Sequence, residues 1–188
     1  MKWFNSIINT LSNANNWSVD SILSVFSICL VIIGGIFAYK QWISANKIKR
    51  SEFINQIITK LRFDKSTVDT MYMVDYDYEW YNEQFHNTDS EREFNVDKLL
   101  AYLSYICYLY ELKTISKKEF RILQYEVNRV CSSPSVQSYL WNLYHFSKAQ
   151  GTECTFQYLI NYGIKHKIIN MNAFYSNQST VYPRYLNF

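Results

Sequence analysis

The chain has 188 residues, enough for about one domain. Only four glycines and two prolines occur, where these types make up roughly 12% of an average protein; this disfavours a turn-rich β architecture and points to long helices. Apolar residues at 48% exclude a wholly disordered chain, and a net charge of +3 is too small to mark a nucleic-acid binder.

Residues 1–17 are expected to form a short external segment. Trp3, Phe4, Ile7, Ile8 and Leu11 have helical spacing, which suits either an amphipathic helix lying in a membrane interface or a frayed terminus. A transmembrane helix is predicted over residues 18–43. Within it, Ser21 to Tyr39 is free of charge over 19 residues, about 28 Å of helix against a hydrocarbon layer of roughly 30 Å. Trp17 on one side and Tyr39 with Trp42 on the other stand where amphipathic rings favour the interface. A buried core helix rarely runs this far without a charge. A cleaved signal peptide would have a shorter apolar core nearer to a basic start, and Ile36-x-Ala38 makes a poor cleavage site.

The flanks set an orientation. Lys2 and Asp20 precede the run, whereas Lys40, Lys47, Lys49 and Arg50 follow it, so the C-terminal part is expected in the cytoplasm and the N-terminus outside, at the plasma (inner) membrane. The same four cations suit anionic lipid headgroups. Gly34 and Ala38, four residues apart with Ser27 or Cys29 about two turns earlier, provide a small-residue face for helix association and hence for a homo-oligomer. Cys107, Cys131 and Cys154 are widely spaced among apolar residues, as expected of reduced, buried thiols.

Residues 44–167 are predicted to form an all-α cytoplasmic domain. The membrane helix continues as a stem to about Phe63, and the stripe Ile54, Ile57, Ile58 and Leu61 must pack on that domain or on another copy. Ser66 with Asp69 has capping-box form and opens a helix through about Gln84; Ser90 with Glu93 opens the next, to about Leu112. That helix is apolar nearly all round, through Val96, Leu99, Leu100, Leu103, Ile106 and Cys107, and is expected at the centre. Ser116 with Glu119 caps a further helix, and Ser133 followed by Pro134 another, which stops near Gly151. A last helix is expected from about Cys154 to His166, and residues 168–188 are expected to be irregular.

Charge is uneven. Between Asp64 and Asp97 stand ten carboxylates against Lys65 and Arg92, a local balance of −8. On one continuous helix Asp75, Glu79 and Glu83 would share a face, with His86 near its end. Such a set can hold a divalent metal or act as acid and base, which gives the alternative reading of a membrane-anchored metal-dependent hydrolase. No E-x-x-H or H-x-x-x-H pairing accompanies it, so a solvated acidic face that attracts basic surface is the preferred reading, with no metal, cofactor or catalytic residue expected. Cys107 and His145 read as a core cysteine and a satisfied histidine. Phosphate loops and nucleophile elbows are missing. Basic and aromatic residues interleave thinly around Lys113 to Arg129, and the acidic block repels phosphate, so nucleic acid is not an expected partner.

The stretch LLAYLSYICYLYELKTISKKEFRIL, with VQSYLWNLY after it, resembles a loose bacterial family of small single-pass membrane proteins of unknown function. The resemblance covers roughly Ser21 to Ile164 and rests mostly on apolar spacing. It implies one N-terminal span, a basic exit and a helical cytoplasmic domain, with no catalytic residues to carry over. Some similar proteins are thought to accompany phage-defence or mobile elements. A membrane-tethered interaction or effector module, with a bilayer and an unidentified protein as partners, is therefore the expected function.

Overall fold

A computed structural model describes residues 19–76, 80–88 and 90–186, and the helical elements there are joined by turns with no strand among the described residues. In chain order they are α1 (Val19–Arg62), α2 (Lys65–Tyr76), the single turn α3 (Phe85–Thr88), α4 (Ser90–Glu111), α5 (Lys117–Ser132), α6 (Pro134–Ala149), α7 (Gln157–Lys165) and α8 (Met171–Tyr175). The fold is all-α, one long apolar helix followed by a helical bundle. Two compact units divide the chain, Met1–Phe53 and Ile54–Phe188.

In the first unit, α1 is an unbroken helix whose most apolar 18-residue window has a mean hydropathy of 2.5 and no buried residue. It is long and apolar enough to cross a membrane. Its small residues are open, since a Cβ added at Gly34 would meet nothing within 4 Å. The expected helix over residues 1–17 lies outside the described residues.

In the second unit α4 is the hub, packed against α7 and α2 and touching α3 and α5, while α5 also packs on α6, α2 and α7. Val96, Leu99, Leu100, Leu103 and Ile106 are all buried, as expected for a helix apolar on most sides. From the end of α1, Ile54, Ile57 and Leu61 are buried within this unit, and the Tyr102 hydroxyl donates to the Ile57 carbonyl at 3.3 Å. The stem stripe therefore packs on its own domain. Of the two partners that the sequence left open for the stripe, its own domain is the one seen.

Helix starts follow side-chain chemistry. The Ser116/Glu119 box is reciprocal: the Glu119 amide donates to Ser116 Oγ at 3.4 Å, and the Ser116 amide donates to Glu119 Oε2 at 2.7 Å. Ser133 caps α6, with Pro134 in its first turn. The start of α2 differs from expectation. Asp64, two residues before Ser66, takes the capping position, accepting from the Thr67 amide at 3.0 Å and the Thr67 hydroxyl at 2.9 Å. Lys60 and the Thr67 groups hold the Asp64 carboxyl well below the usual carboxylate range. α7 begins at Gln157 rather than at Cys154, with Phe156 at its cap and no side-chain cap bond.

Two helices end on lysines in the left-handed region, Lys113 after α4 and Lys167 after α7, both at φ 59°. The Lys167 amide donates to the Ile164 carbonyl and the Ile168 amide to the Gly163 carbonyl, the pairing usually built around glycine. At the end of α6, Gly151 takes the corresponding conformation at φ +71°.

The C-terminal stretch carries one short helix, α8, and is otherwise turns and coil, but it is docked on the domain. Asn170 caps α8 by accepting from the Asn172 and Ala173 amides, and Phe174, Ile169 and Tyr182 are buried. α6 holds this segment by its polar side chains. His145 Nε2 donates to the Phe174 carbonyl at 2.9 Å, Trp141 Nε1 to the Ser176 carbonyl at 3.2 Å, and Asn142 Nδ2 to the Pro183 carbonyl at 2.8 Å. The Tyr185 amide donates back to Asn142 Oδ1 at 2.9 Å. Composition marked this stretch as polar and loose because its anchors lie on α6, not within it.

Candidate functional site

The acidic set is dispersed. α2 ends at Tyr76 and residues 80–84 are turns and bends, so Asp75 and Glu83, eight residues apart, do not share one helix face; Glu83 lies in an exposed turn, and Glu79 falls outside the described residues. Trp80 and Tyr81 are both buried, with ring centroids 5.6 Å apart in one aromatic cluster. Asp75 forms an ion pair with Arg129 of α5, whose guanidinium also sits over the Tyr72 and Tyr76 rings. No three His, Cys, Asp or Glu side chains among the described residues are placed to hold a metal ion.

His86 belongs to a different constellation. Its Nδ1 lies 2.7 Å from Glu93 Oε1 and its Nε2 lies 3.3 Å from the Tyr81 hydroxyl. Burial pushes the Tyr81 phenol far up, so it stays protonated, and both ring nitrogens of His86 are in hydrogen-bond contact whichever tautomer is present. His86 stacks on Tyr139, centroids 5.7 Å apart, and the Tyr139 hydroxyl donates to Asp97 Oδ1 at 2.6 Å. Burial raises the Asp97 carboxyl, with the Tyr139 bond acting against it. A general base needs a free lone pair within reach of substrate. Both nitrogens of His86 are occupied, so this arrangement ties α3, α4 and α6 together through buried polar groups.

Part of the 64–97 block is engaged within the domain. Lys60 pairs with Asp64 at 2.7 Å, Arg129 with Asp75 and His86 with Glu93, while Asp97 receives the Tyr139 hydroxyl. Four of the ten carboxylates are thus engaged, whereas Asp69, Glu83 and Glu91 are exposed. Glu93, read as a capping residue, serves His86. Seven residues separate the two, and no helical period signals that contact. Among the stem cations, Arg62 binds Glu126 at 2.6 Å and the Ile122 carbonyl at 2.7 Å, whereas Lys40, Lys47, Lys49 and Arg50 are exposed along α1.

Cys107 and Cys131 are buried, and burial raises both thiols, Cys131 to about 12. Thiols so placed are poor nucleophiles. His145 is buried and bonded to the Phe174 carbonyl, with desolvation lowering its pKa. These are the core cysteine and satisfied histidine expected from the sequence.

One concavity has the size of a small-molecule site. A cavity of about 620 Å³ opens where the C-terminal ends of α4 and α7 meet the start of α5. Cys107, Ile115 and Tyr162 form its buried floor, and Tyr110 and Tyr158 flank it. Tyr110 is fixed by stacking on Phe120 at 4.1 Å, and Tyr162 by donating to Asn128 Oδ1 at 2.8 Å, its phenol pushed up to about 12 by burial. Around the mouth stand Lys113, Lys117, Lys165 and His166, with Glu111 as the single carboxylate. Sequence spacing does not reveal this group, because its lysines come from three elements.

Comparison with known proteins finds no matching family model, curated relative or solved structure. The functional argument therefore rests on the chain itself.

Proposed function

We propose that this protein is a membrane-tethered helical interaction module without catalytic activity, anchored by α1, with its C-terminal domain in the cytoplasm. The observation that carries this reading is the contrast between two apolar helices. In α4 the large apolar side chains are mostly buried, whereas in α1 Val31 is 72% exposed and Phe37 63%. So long an apolar surface is tolerated in lipid and is an aggregation hazard in water. Lys40, Lys47, Lys49 and Arg50 at the C-terminal side of the span support the cytoplasmic assignment through charge asymmetry and the attraction of anionic headgroups. Asp75 pairs with Arg129 and His86 with Glu93, and this supports an interaction role over hydrolysis. A bilayer and a protein ligand of the cytoplasmic domain are the partners proposed.

Thiol labelling in intact cells tests the topology. Native Cys107, Cys131 and Cys154 are buried and give low background, and Cys29 is replaced by Ala. A cysteine at Asn13 should react with an impermeant reagent in intact cells, and one at exposed Lys118 only after permeabilisation. The opposite pattern, or extraction of the protein from membranes by carbonate, overturns the reading.

A further inference from the structure

We propose that the cavity between α4, α5 and α7 binds a small ligand that combines a flat aromatic ring with a phosphate, a nucleoside monophosphate being the simplest member of the class. The cavity is about 620 Å³, within the usual range for small-molecule sites. Tyr110, stacked on Phe120, and Tyr158, packed against Tyr108, bring aromatic surface to the cavity wall, and Lys113, Lys117 and Lys165 line it too. None of these lysines has a carboxylate within ion-pair distance among the described residues. With Glu111 counted, the rim carries a net charge of +2 at neutral pH, the three lysines less one carboxylate.

Two of the lysines occupy positions that local rules reserve for other residues. Lys113 sits at φ 59°, where glycine is normally used because a Cβ crowds the following carbonyl. Lys117 is the first residue of α5, at the positive end of the helix dipole, which favours acidic residues and opposes a cation. Cation placement at the C-terminal ends of α4 and α7 explains Lys113 and Lys165 in part, as dipole partners, but leaves Lys117 unexplained. An anion in the cavity would relieve the repulsion at Lys117 and give the lysine at position 113 its use. Both departures also occur away from the cavity, at Lys167 and Lys118, so it is the convergence of three lysines on one cavity that calls for an anion. The floor of Cys107, Ile115 and Tyr162 is apolar enough to exclude water from one face of a ring, and it does not suit a bare inorganic ion.

The test is equilibrium dialysis of the full-length protein in nanodiscs of neutral lipid, with labelled AMP, adenosine and glucose 6-phosphate as separate probes. AMP should bind saturably at one site per chain. Adenosine, which lacks the charge, and glucose 6-phosphate, which lacks the ring, should each bind at least about tenfold more weakly. Lys113→Gln with Lys117→Gln should weaken AMP at least about tenfold while the helical circular dichroism is unchanged and the thermal midpoint does not fall, since both side chains are exposed and the helix dipole opposes the Lys117 charge. Tyr158→Ala should weaken AMP and leave the weaker glucose 6-phosphate binding as it was. The proposal is overturned by no saturable AMP binding below about 1 mM, by equal binding of glucose 6-phosphate, or by full AMP affinity in the folded lysine variant. This cavity lies wholly within the second unit, so failure of the membrane topology would leave the result standing.

Discussion

Replacing Asn142 by Leu should detach the C-terminal segment from α6. Asn142 is fully buried, and two of its hydrogen bonds cross to that segment, one to the Pro183 carbonyl at 2.8 Å and one from the Tyr185 amide at 2.9 Å. A third, from Nδ2 to the Ser138 carbonyl at 2.8 Å, stays within the helix and adds little to docking. At a net 0.5–1.5 kcal/mol each, the two crossing bonds amount to about 1–3 kcal/mol. Leucine is close in volume, so this loss is not confounded by a large cavity. For a unit of this size that corresponds to roughly 4–12 °C in thermal midpoint. Hydrogen exchange locates the effect: the amides of Phe174 and Tyr185 should lose protection in N142L while those of α4 keep theirs. Limited proteolysis should cut the variant after Tyr175 or Tyr185 faster than the wild type. Unchanged midpoint and unchanged exchange at Tyr185 would refute the docking of residues 168–186 described above.

Leu103→Ala should cost about 2–5 kcal/mol in denaturant unfolding, since Leu103 has no exposed surface in the central helix; a loss under about 1 kcal/mol would remove α4 from the centre. Ser116→Ala should cost about 1 kcal/mol by breaking the reciprocal cap, read as a lower urea midpoint with unchanged slope. Lys167→Gly, at φ 59°, should raise the thermal midpoint by the equivalent of about 1 kcal/mol, whereas Lys167→Ala should not. Stability should fall as pH drops below 6.5, because His145 is held below that value in the folded chain and the unfolded chain takes up the proton first. Its contribution is complete above pH 6.5 and is lost toward the lower folded pKa. His145→Gln should flatten this part of the pH–stability curve, and an unchanged slope between pH 6.5 and 5 would contradict the buried, neutral histidine.

Local and periodic features were legible in the amino-acid order itself. The charge-free run from Ser21 to Tyr39, the nearly all-round apolar surface of α4, the Ser116/Glu119 box and the Ser133–Pro134 start depend on residues within a few positions of one another, and each stands in the structure. The Asp64 cap is equally local, with Thr67 three residues on and Lys60 four back, and the Ser66 pattern is read in its place. Contacts between more distant residues decided the rest. Asp75 pairs with Arg129, 54 residues away, and Glu93, expected as a capping residue, reaches His86. Residues 168–186 look irregular alone because their partners are Trp141, Asn142 and His145 of α6. The lysine-rimmed cavity likewise joins residues from α4, α5 and α7. A period or a cap is written in neighbouring residues, whereas an ion pair, a docked tail or a cavity exists only once packing has chosen which distant polar groups must meet to avoid being buried alone.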